Sequence, residues 1–318
     1  MGGHKNKMET SIVILGISLL GLSITSRFVI KAIEDLMDKT NLSETSIGFA
    51  FLSVITSIPE LTVAVFAIMD GSPSLSIGDL LGSNVFNIGI VVGVLMLASN
   101  FLKECPVGLD ELADILILSS FIPLILVVLR VPEFLLGIGL LIVFVLAMYK
   151  ETRTRILEPE SIKELKQNRL SLIILKILFG AAILALAARF TVSSSLDISS
   201  ILGISPIVVG ALIVAFGTSL PELSLSLVAI RRGRPNLAYA NAIGSNLTNL
   251  TLVLGLVLFS SIFSSFRLDV TTFSEIISFV LITSLIVWYH ITKGANCKLV
   301  GASLILTYVL FQINTLFR

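Results

Sequence analysis

Two glutamates stand inside long apolar runs and close the same five-residue pattern, T-S-apolar-P-E: Glu60 in TSIPELTVAVFAI (56–68) and Glu222 in TSLPELSLSLVAI (218–230). A carboxylate in hydrocarbon is costly unless something compensates it, so two in matched contexts, 162 residues apart, argue for a duplicated cation site. The prolines extend the argument. Pro59 and Pro221 lack a backbone donor and clash with the carbonyl four residues back, which predicts a helix break just before each glutamate. At membrane depth the carbonyl oxygens freed in this way have to line a cavity or meet an ion.

The neighbouring residues are oxygen ligands. Thr56 and Ser57 lie three to four residues before Glu60, on or near the same helical face, and Thr218 and Ser219 repeat this before Glu222. In each half the serine of a G-S-N motif follows the glutamate by 23 residues, in GSNVFN (82–87) and GSNLTN (244–249). There Ser83 with Asn87, and Ser245 with Asn249, form i, i+4 pairs that present a hydroxyl and an amide oxygen. Carboxylates, hydroxyls, amides and carbonyls, with no imidazole or thiolate near the motifs, suit hard cations. Calcium takes about six to eight oxygens in irregular geometry, and sodium can use the neutral ones. Soft transition metals fit poorly. Two glutamates neutralise one divalent ion, and the limit this charge sets on sodium loading is a physical basis for competition.

Each feature alone has a plainer reading. Proline and glycine kink membrane helices or let them pack closely, and a single intramembrane glutamate can be a structural hydrogen-bonding residue. The duplicated combination leaves both accounts short. For Arg27 and Arg189, aligned with each other, snorkelling to the interface is the preferred reading. Asp110, Glu111, Asp114 and Glu275 are read as solvated caps near the starts of the fourth and ninth helices. Asp79, aligned with Asn241, is placed before the third helix on the outer side, where it attracts cations at the entrance.

The elements that position these groups follow from composition. The chain of 318 residues is 55% apolar and 14% charged, with mean hydropathy +1.01, and its uncharged runs are long enough to cross a bilayer. It reads as an all-α integral membrane protein. Ten helices are expected, near residues 10–32, 44–69, 77–102, 112–130, 133–150, 170–192, 203–230, 236–264, 270–292 and 298–317. Residues 1–9 form an N-terminal tail, partly resembling an added tag. Asn6 fails the myristoylation pattern, and no small-residue cleavage site follows the first apolar run, which is kept as a helix. Between the five-helix repeats 10–150 and 170–318 lies a linker, residues 151–169, with nine of nineteen residues charged. It is read as a solvated loop with at most a helical turn.

Five spans per half require the two halves to enter the membrane from opposite sides, an inverted-topology repeat. Of 22 lysines and arginines, 16 follow odd-numbered spans, which puts the linker in the cytoplasm and both termini outside. The equivalent loops MDGSPS (69–74) and RRGRPN (231–236) differ in charge in the same sense. A net charge of +1 argues against a nucleic-acid partner. Cys105 and Cys297 form no CxxC pair and are read as structural residues without a disulfide or metal role, and His4 and His290 suggest no metal site. No cofactor is implied. The partners are inorganic cations and the lipid bilayer, and a monomer is compatible with all these features.

The paired motifs, TSIPE with GSNVFN and AFGTSLPE (215–222) with GSNLTN, resemble the two alpha-repeats of the sodium/calcium exchangers in the cation/calcium antiporter superfamily, most of all the compact prokaryotic members. The resemblance implies ten helices in two inverted repeats, a core of the second, third, seventh and eighth helices around four ion sites, and long tilted first and sixth helices that slide against it. It gives Glu60 and Glu222 to calcium and sodium, and the carbonyls of Thr56, Thr218, Ser53 and Ala215 with the hydroxyls of Ser57, Ser219, Ser83 and Ser245 to sodium. Asn87 and Asn249 would line the centre. Two departures stand out. Asparagine occupies both central positions where the family often has one aspartate, which weighs against the potassium-dependent branch, and Ile55 stands where glycine is usual. The expected function is electrogenic sodium/calcium antiport by alternating access, without enzymatic chemistry; three sodium ions per calcium is what the resemblance implies. A calcium/proton antiporter is the nearest alternative, and a cation channel the alternative from another class.

Overall fold

The computed structural model describes residues 2–40, 53–97, 110–155, 167–231, 235–263, 266–294 and 296–317, and all regular structure in them is helical. The helices are α1 (Gly2–Thr40), α2 (Ile58–Met69, after a helical turn at 53–56), α3 (Pro73–Leu97), α4 (Asp110–Val128) and α5 (Glu133–Arg155). They continue as α6 (Gln167–Leu202), α7 (Pro206–Arg231), α8 (Pro235–Phe263), α9 (Val270–Lys293) and α10 (Cys297–Leu316). Proline opens α3, α7 and α8, where its missing donor is harmless and its fixed φ suits a first turn. Gly71, with φ of 67°, makes the turn between α2 and α3 that a side chain would strain.

Among the described residues seven helices are long and apolar enough to cross a bilayer: α1, α3 and α6 to α10. Shorter apolar helices occupy α2, α4 and α5. Burial separates their roles. In α3, 83% of the apolar window is enclosed by protein, against 28% in α6 and in α10. The exposed faces of α1 and α6 carry Ile17, Leu20, Ile24, Leu178, Phe179 and Leu186, an apolar coat suited to lipid. Leu80, Leu81 and Val85 of α3 meet Leu250, Val253 and Leu254 of α8 and Ile276, Ile277 and Val280 of α9 in a continuous core.

The two halves are interlocked. Helices α1 and α6 run antiparallel: Lys7 pairs with Asp197 at 2.8 Å, Thr191 donates to Ser18 at 3.0 Å, and a Cβ on Gly180 would come within 2.4 Å of Val29. Positions 18 and 29 plus 162 are 180 and 191, so these last two contacts exchange under the sequence offset. Helices α4 and α9 are also antiparallel, joined by a 3.1 Å contact between the Ser120 and Ser284 hydroxyls and by Trp288 Nε1 donating to Asp114 at 2.7 Å. The third helix of each half packs on the last helix of the other. Gly93 of α3 abuts Gly301 of α10, and Gly255 of α8 abuts Gly137 of α5, with backbone oxygens near the missing Cβ atoms.

The closest approach is at α3 and α7. A Cβ on Gly78 would lie 1.9 Å from Ile207 O, one on Gly210 2.1 Å from Leu75 O, and one on Gly82 2.4 Å from Ala211 O. Membrane helices lack a hydrophobic drive between them, and such small-residue seams let backbones meet and dispersion act.

Several expectations need correction. The first helix starts at Gly2 rather than residue 10, so the tail continues the helix, and it ends at Thr40. The outer parts of the expected linker are helical, because α5 continues to Arg155 and α6 starts at Gln167; residues 156–166 lie outside the described residues. Helix α3 starts at Pro73 rather than 77, because Pro73 supplies an N-terminal start that hydropathy alone does not register. Cys297 is disulfide-bonded, against the expectation of a cysteine without that role; Cys105 lies outside the described residues. The cap of α9 is Asp269, which accepts from the Thr271 and Thr272 amides, and Glu275 is an exposed residue further along. Helix α4 starts at Asp110, and Arg189 is ion-paired with Asp70 besides lying over the Phe66 ring.

Candidate functional site

Both predicted breaks are present. The chain leaves helical geometry at Ser57 (φ −83°, ψ 9°) and Ser219 (φ −87°, ψ 0°), and α2 and the second part of α7 restart immediately, with Pro59 and Pro221 in their first turns. Glu60 and Glu222 therefore sit in the first turn of a helix, near its unpaired amides and the positive end of its dipole, which favours a carboxylate there. A second matched irregularity lies opposite. Helices α3 and α8 widen into π-helix at Asn87–Val92 and Asn249–Val253, beginning at the two central asparagines.

These elements close around a buried group of oxygens. Glu60, Thr56, Ser83, Asn87, Thr218, Ser219, Glu222, Ser245 and Asn249 are fully enclosed, and Ser53, Ser57 and Ala215 nearly so. Ser57 and Ser245 hydroxyls meet at 3.1 Å, and Ser245 donates onward to Glu222 Oε1 at 3.3 Å. Across the site Ser83 reaches Thr218 Oγ1 at 3.2 Å and Ala215 O at 3.5 Å. Glu60 lies within electrostatic range of Glu222. The Ser53 carbonyl accepts the Thr56 hydroxyl at 3.2 Å, and the Ala215 carbonyl accepts the Ser219 amide at 3.1 Å.

Many of these oxygens have no protein donor. Neither carboxylate oxygen of Glu60 is hydrogen-bonded, nor are Glu222 Oε2, Ser219 Oγ and the side-chain amides of Asn87 and Asn249. Buried acceptors normally find partners, and the desolvation of unpaired ones costs about 1–3 kcal/mol each. Concentrated around two carboxylates, they have the chemistry of a cation cage. Among the described residues no three His, Cys, Asp or Glu side chains converge as a metal cluster. An ion here would need hydroxyls, amides and carbonyls beside the carboxylates, which is the mixed set the motifs contain.

The sodium/calcium exchanger protein family model matches residues 10–151 and 172–317, nearly the whole chain on either side of the central linker. The chain belongs to this family. The exchanger-family chain is 27% identical to the sodium/calcium exchanger MaX1 of Methanosarcina acetivorans, an alignment covering 96% of this chain and 98% of that one. Its fold is similar to that of the sodium-calcium exchanger NCX_Mj (TM-score 0.64, 23% identity, 95% of this chain and 98% of that chain). It is likewise similar to the H+/Ca2+ exchanger CAX (TM-score 0.78, 18% identity, 96% and 86%). The protein is thus a multi-pass membrane transporter of the cation/calcium antiporter superfamily, and its substrates are cations.

The motif reading missed part of the exchanger's polar centre. Asp79 is not ahead of α3 but inside it and fully buried, accepting the Thr218 hydroxyl at 2.9 Å. A start at 77 leaves Asp79 at the very end of the helix, whereas the start at Pro73 puts it in the second turn. Counted from Pro73, Ser76, Asp79, Ser83 and Asn87 fall on one helical stripe, the signal that finds it. Asn84 and Asn246, the asparagines within the G-S-N motifs, instead make structural bonds: Asn246 Nδ2 joins the halves by donating to Asn84 O at 2.9 Å, and Asn84 Nδ2 donates to Leu80 O within α3 at 2.6 Å.

Proposed function

We propose that this protein is a sodium/calcium antiporter in which sodium moving down its gradient drives calcium the other way by alternating access. The observation that carries the reading is the pair of enclosed glutamates, Glu60 and Glu222, held at matched helix breaks with most of their oxygens lacking a protein donor. In this reading both carboxylates bind calcium and offset its charge. The hydroxyls of Ser57, Ser219, Ser83 and Ser245, the carbonyls of Thr56, Thr218, Ser53 and Ala215, and the amide oxygens of Asn87 and Asn249 complete the sites for calcium or for sodium. Since both ions need the same carboxylates, they compete, and access changes only when the carboxylates are compensated.

Ten membrane helices in two inverted repeats, 10–150 and 170–318, form the framework of this proposal. The exchanging contacts between α1 and α6 support it, as do the matched breaks and π-helical segments spaced by 162 residues. The central linker is assigned to the cytoplasm and both termini to the outside on the distribution of lysine and arginine. Three sodium ions per calcium makes the cycle electrogenic.

The test is exchange in liposomes. Purified protein in sodium-loaded vesicles, diluted into sodium-free buffer at clamped pH, is expected to take up calcium in proportion to the sodium gradient and to move charge as it does so. Calcium uptake that ignores sodium and follows a proton gradient overturns the proposal in favour of calcium/proton antiport. Uptake with no counter-ion overturns it in favour of a channel.

A further inference from the structure

Glu60 and Glu222 are not the only carboxylates at this depth. Asp79 shares full enclosure with them, lies within electrostatic range of Glu60 and Glu222, and accepts a 2.9 Å hydrogen bond at Oδ1 from the Thr218 hydroxyl. Its second oxygen, Oδ2, has no donor. One turn earlier on the same stripe of α3, the fully buried Ser76 hydroxyl is also without a partner. Thr218 has one hydroxyl proton and gives it to Asp79 over the shortest of its contacts, so its oxygen remains an acceptor facing Ser83. An enclosed carboxylate oxygen and a hydroxyl oxygen, both unclaimed, thus extend the polar stripe beyond Ser83 and away from the central asparagines.

The other half has no such group. Asn241 stands at the position equivalent to Asp79, buried and with neither amide atom partnered, and Ala238 replaces Ser76. Thr56, the counterpart of Thr218, turns its hydroxyl to Ser53 O instead. The duplicated cage therefore has one carboxyl group more in the first half than in the second. Two glutamates balance one calcium ion. A third carboxylate leaves one charge over, which one monovalent cation offsets.

We propose that Asp79, with Ser76 and the Thr218 oxygen, forms a monovalent-cation subsite next to the Glu60–Glu222 cage, and that sodium bound there contributes to displacing calcium. This rests on the exchanger reading for the calcium half of the statement. Asparagine at position 79 keeps an oxygen for Thr218 but loses the charge, so a merely structural role predicts no change on that substitution.

The experiment uses the full-length protein in detergent with three variants: Asp79→Asn, Ser76→Ala, and Asp79→Asn combined with Asn241→Asp. Calcium binding is titrated without sodium, then displaced with sodium chloride. Asp79→Asn is expected to bind calcium nearly as the parent does but to need about ten-fold more sodium to release it, the loss of one charged ligand, with displacement less steep by about one sodium per calcium. Ser76→Ala shifts the midpoint in the same direction by a smaller factor, and Asn241→Asp in the Asp79→Asn background restores the steepness. An Asp79→Asn protein with parental midpoint and steepness overturns the proposal. So does one that loses calcium affinity in sodium-free buffer to the same degree, since Asp79 then belongs to the calcium cage itself. Sodium NMR relaxation in calcium-free protein reads the subsite separately. Asp79-dependent broadening without any displacement of calcium leaves the subsite standing and fails the exchanger reading, and broadening equal in Asp79→Asn fails the subsite.

Discussion

Gly78→Ala is the most direct test of how the site is held. The methyl group would meet Ile207 O at 1.9 Å, with Ile207 C and Cα at 2.7 and 2.9 Å. All three are backbone atoms, so no side chain can rotate out of the way. Restoring an ordinary contact of about 3.4 Å requires α3 and α7 to part by about 1.5 Å at this crossing. Overpacking costs about 1–3 kcal/mol where neighbours can adjust, and this crossing should reach the top of that range or exceed it. The adjacent residue is Asp79, whose hydrogen bond to Thr218 spans the same two helices, so the displacement reaches the polar centre and calcium binding weakens too. Gly16→Ala on α1 is the control. Nothing lies within 4 Å of its Cβ position, and alanine in a helix interior gains about 0.5–1 kcal/mol over glycine. Thermal unfolding in detergent, followed by the monodisperse fraction, should show Gly78→Ala lower by several degrees and Gly16→Ala unchanged or higher. Gly210→Ala, 2.1 Å from Leu75 O on the same seam, should be as damaging, and the pair together less than additive. Equal melting of the Gly78 and Gly16 variants would refute the close-approach argument.

Two other perturbations follow from the geometry. Glu60→Gln and Glu222→Gln keep the shape of the cage and remove one charge each, so calcium uptake into sodium-loaded liposomes should fall to background in both; near-parental flux in either contradicts a shared site. Ser120→Ala and Ser284→Ala form a double-mutant cycle across α4 and α9. Ser120 donates to Leu116 O at 2.8 Å, so Ser284 donates to Ser120; losing Ser120 strands a buried donor and should cost about 1–3 kcal/mol, more than losing Ser284. Unfolding in detergent should give a double mutant milder than the sum, and strict additivity would mean that the hydroxyls do not interact.

Much of this was legible in the sequence because prolines and buried acids leave local traces. Pro59 and Pro221 predicted both breaks, and the chain turns two residues before each proline, at Ser57 and Ser219; the offset of 162 identified the G-S-N serines that reach across to the other half. Asp79 was misplaced because a start at 77 leaves it at the helix end, whereas the start at Pro73 puts it in the second turn, where a hydroxyl from the distant half, Thr218, meets it. The glycine seams were not legible either. Gly78, Gly93 and Gly255 look like ordinary membrane-helix glycines until the helices beside them are known, since what each needs is a backbone from the distant half. The bond at Cys297 was hidden for the same reason: disulfides join residues remote in sequence, and spacing alone did not flag it.

The interlocking of α3 with α10 and of α8 with α5 bears on biogenesis and ancestry. Until α10 is synthesised, Gly93 has no surface to close on, and Gly137 waits likewise for α8. The outer packing of α3 is therefore completed only when the end of the chain arrives, although the polar centre itself is bridged by α3, α7 and α8. On the proposed inverted-repeat arrangement, a half-length polypeptide made alone would lack these partners, and a second copy inserted the opposite way up would supply equivalents of each.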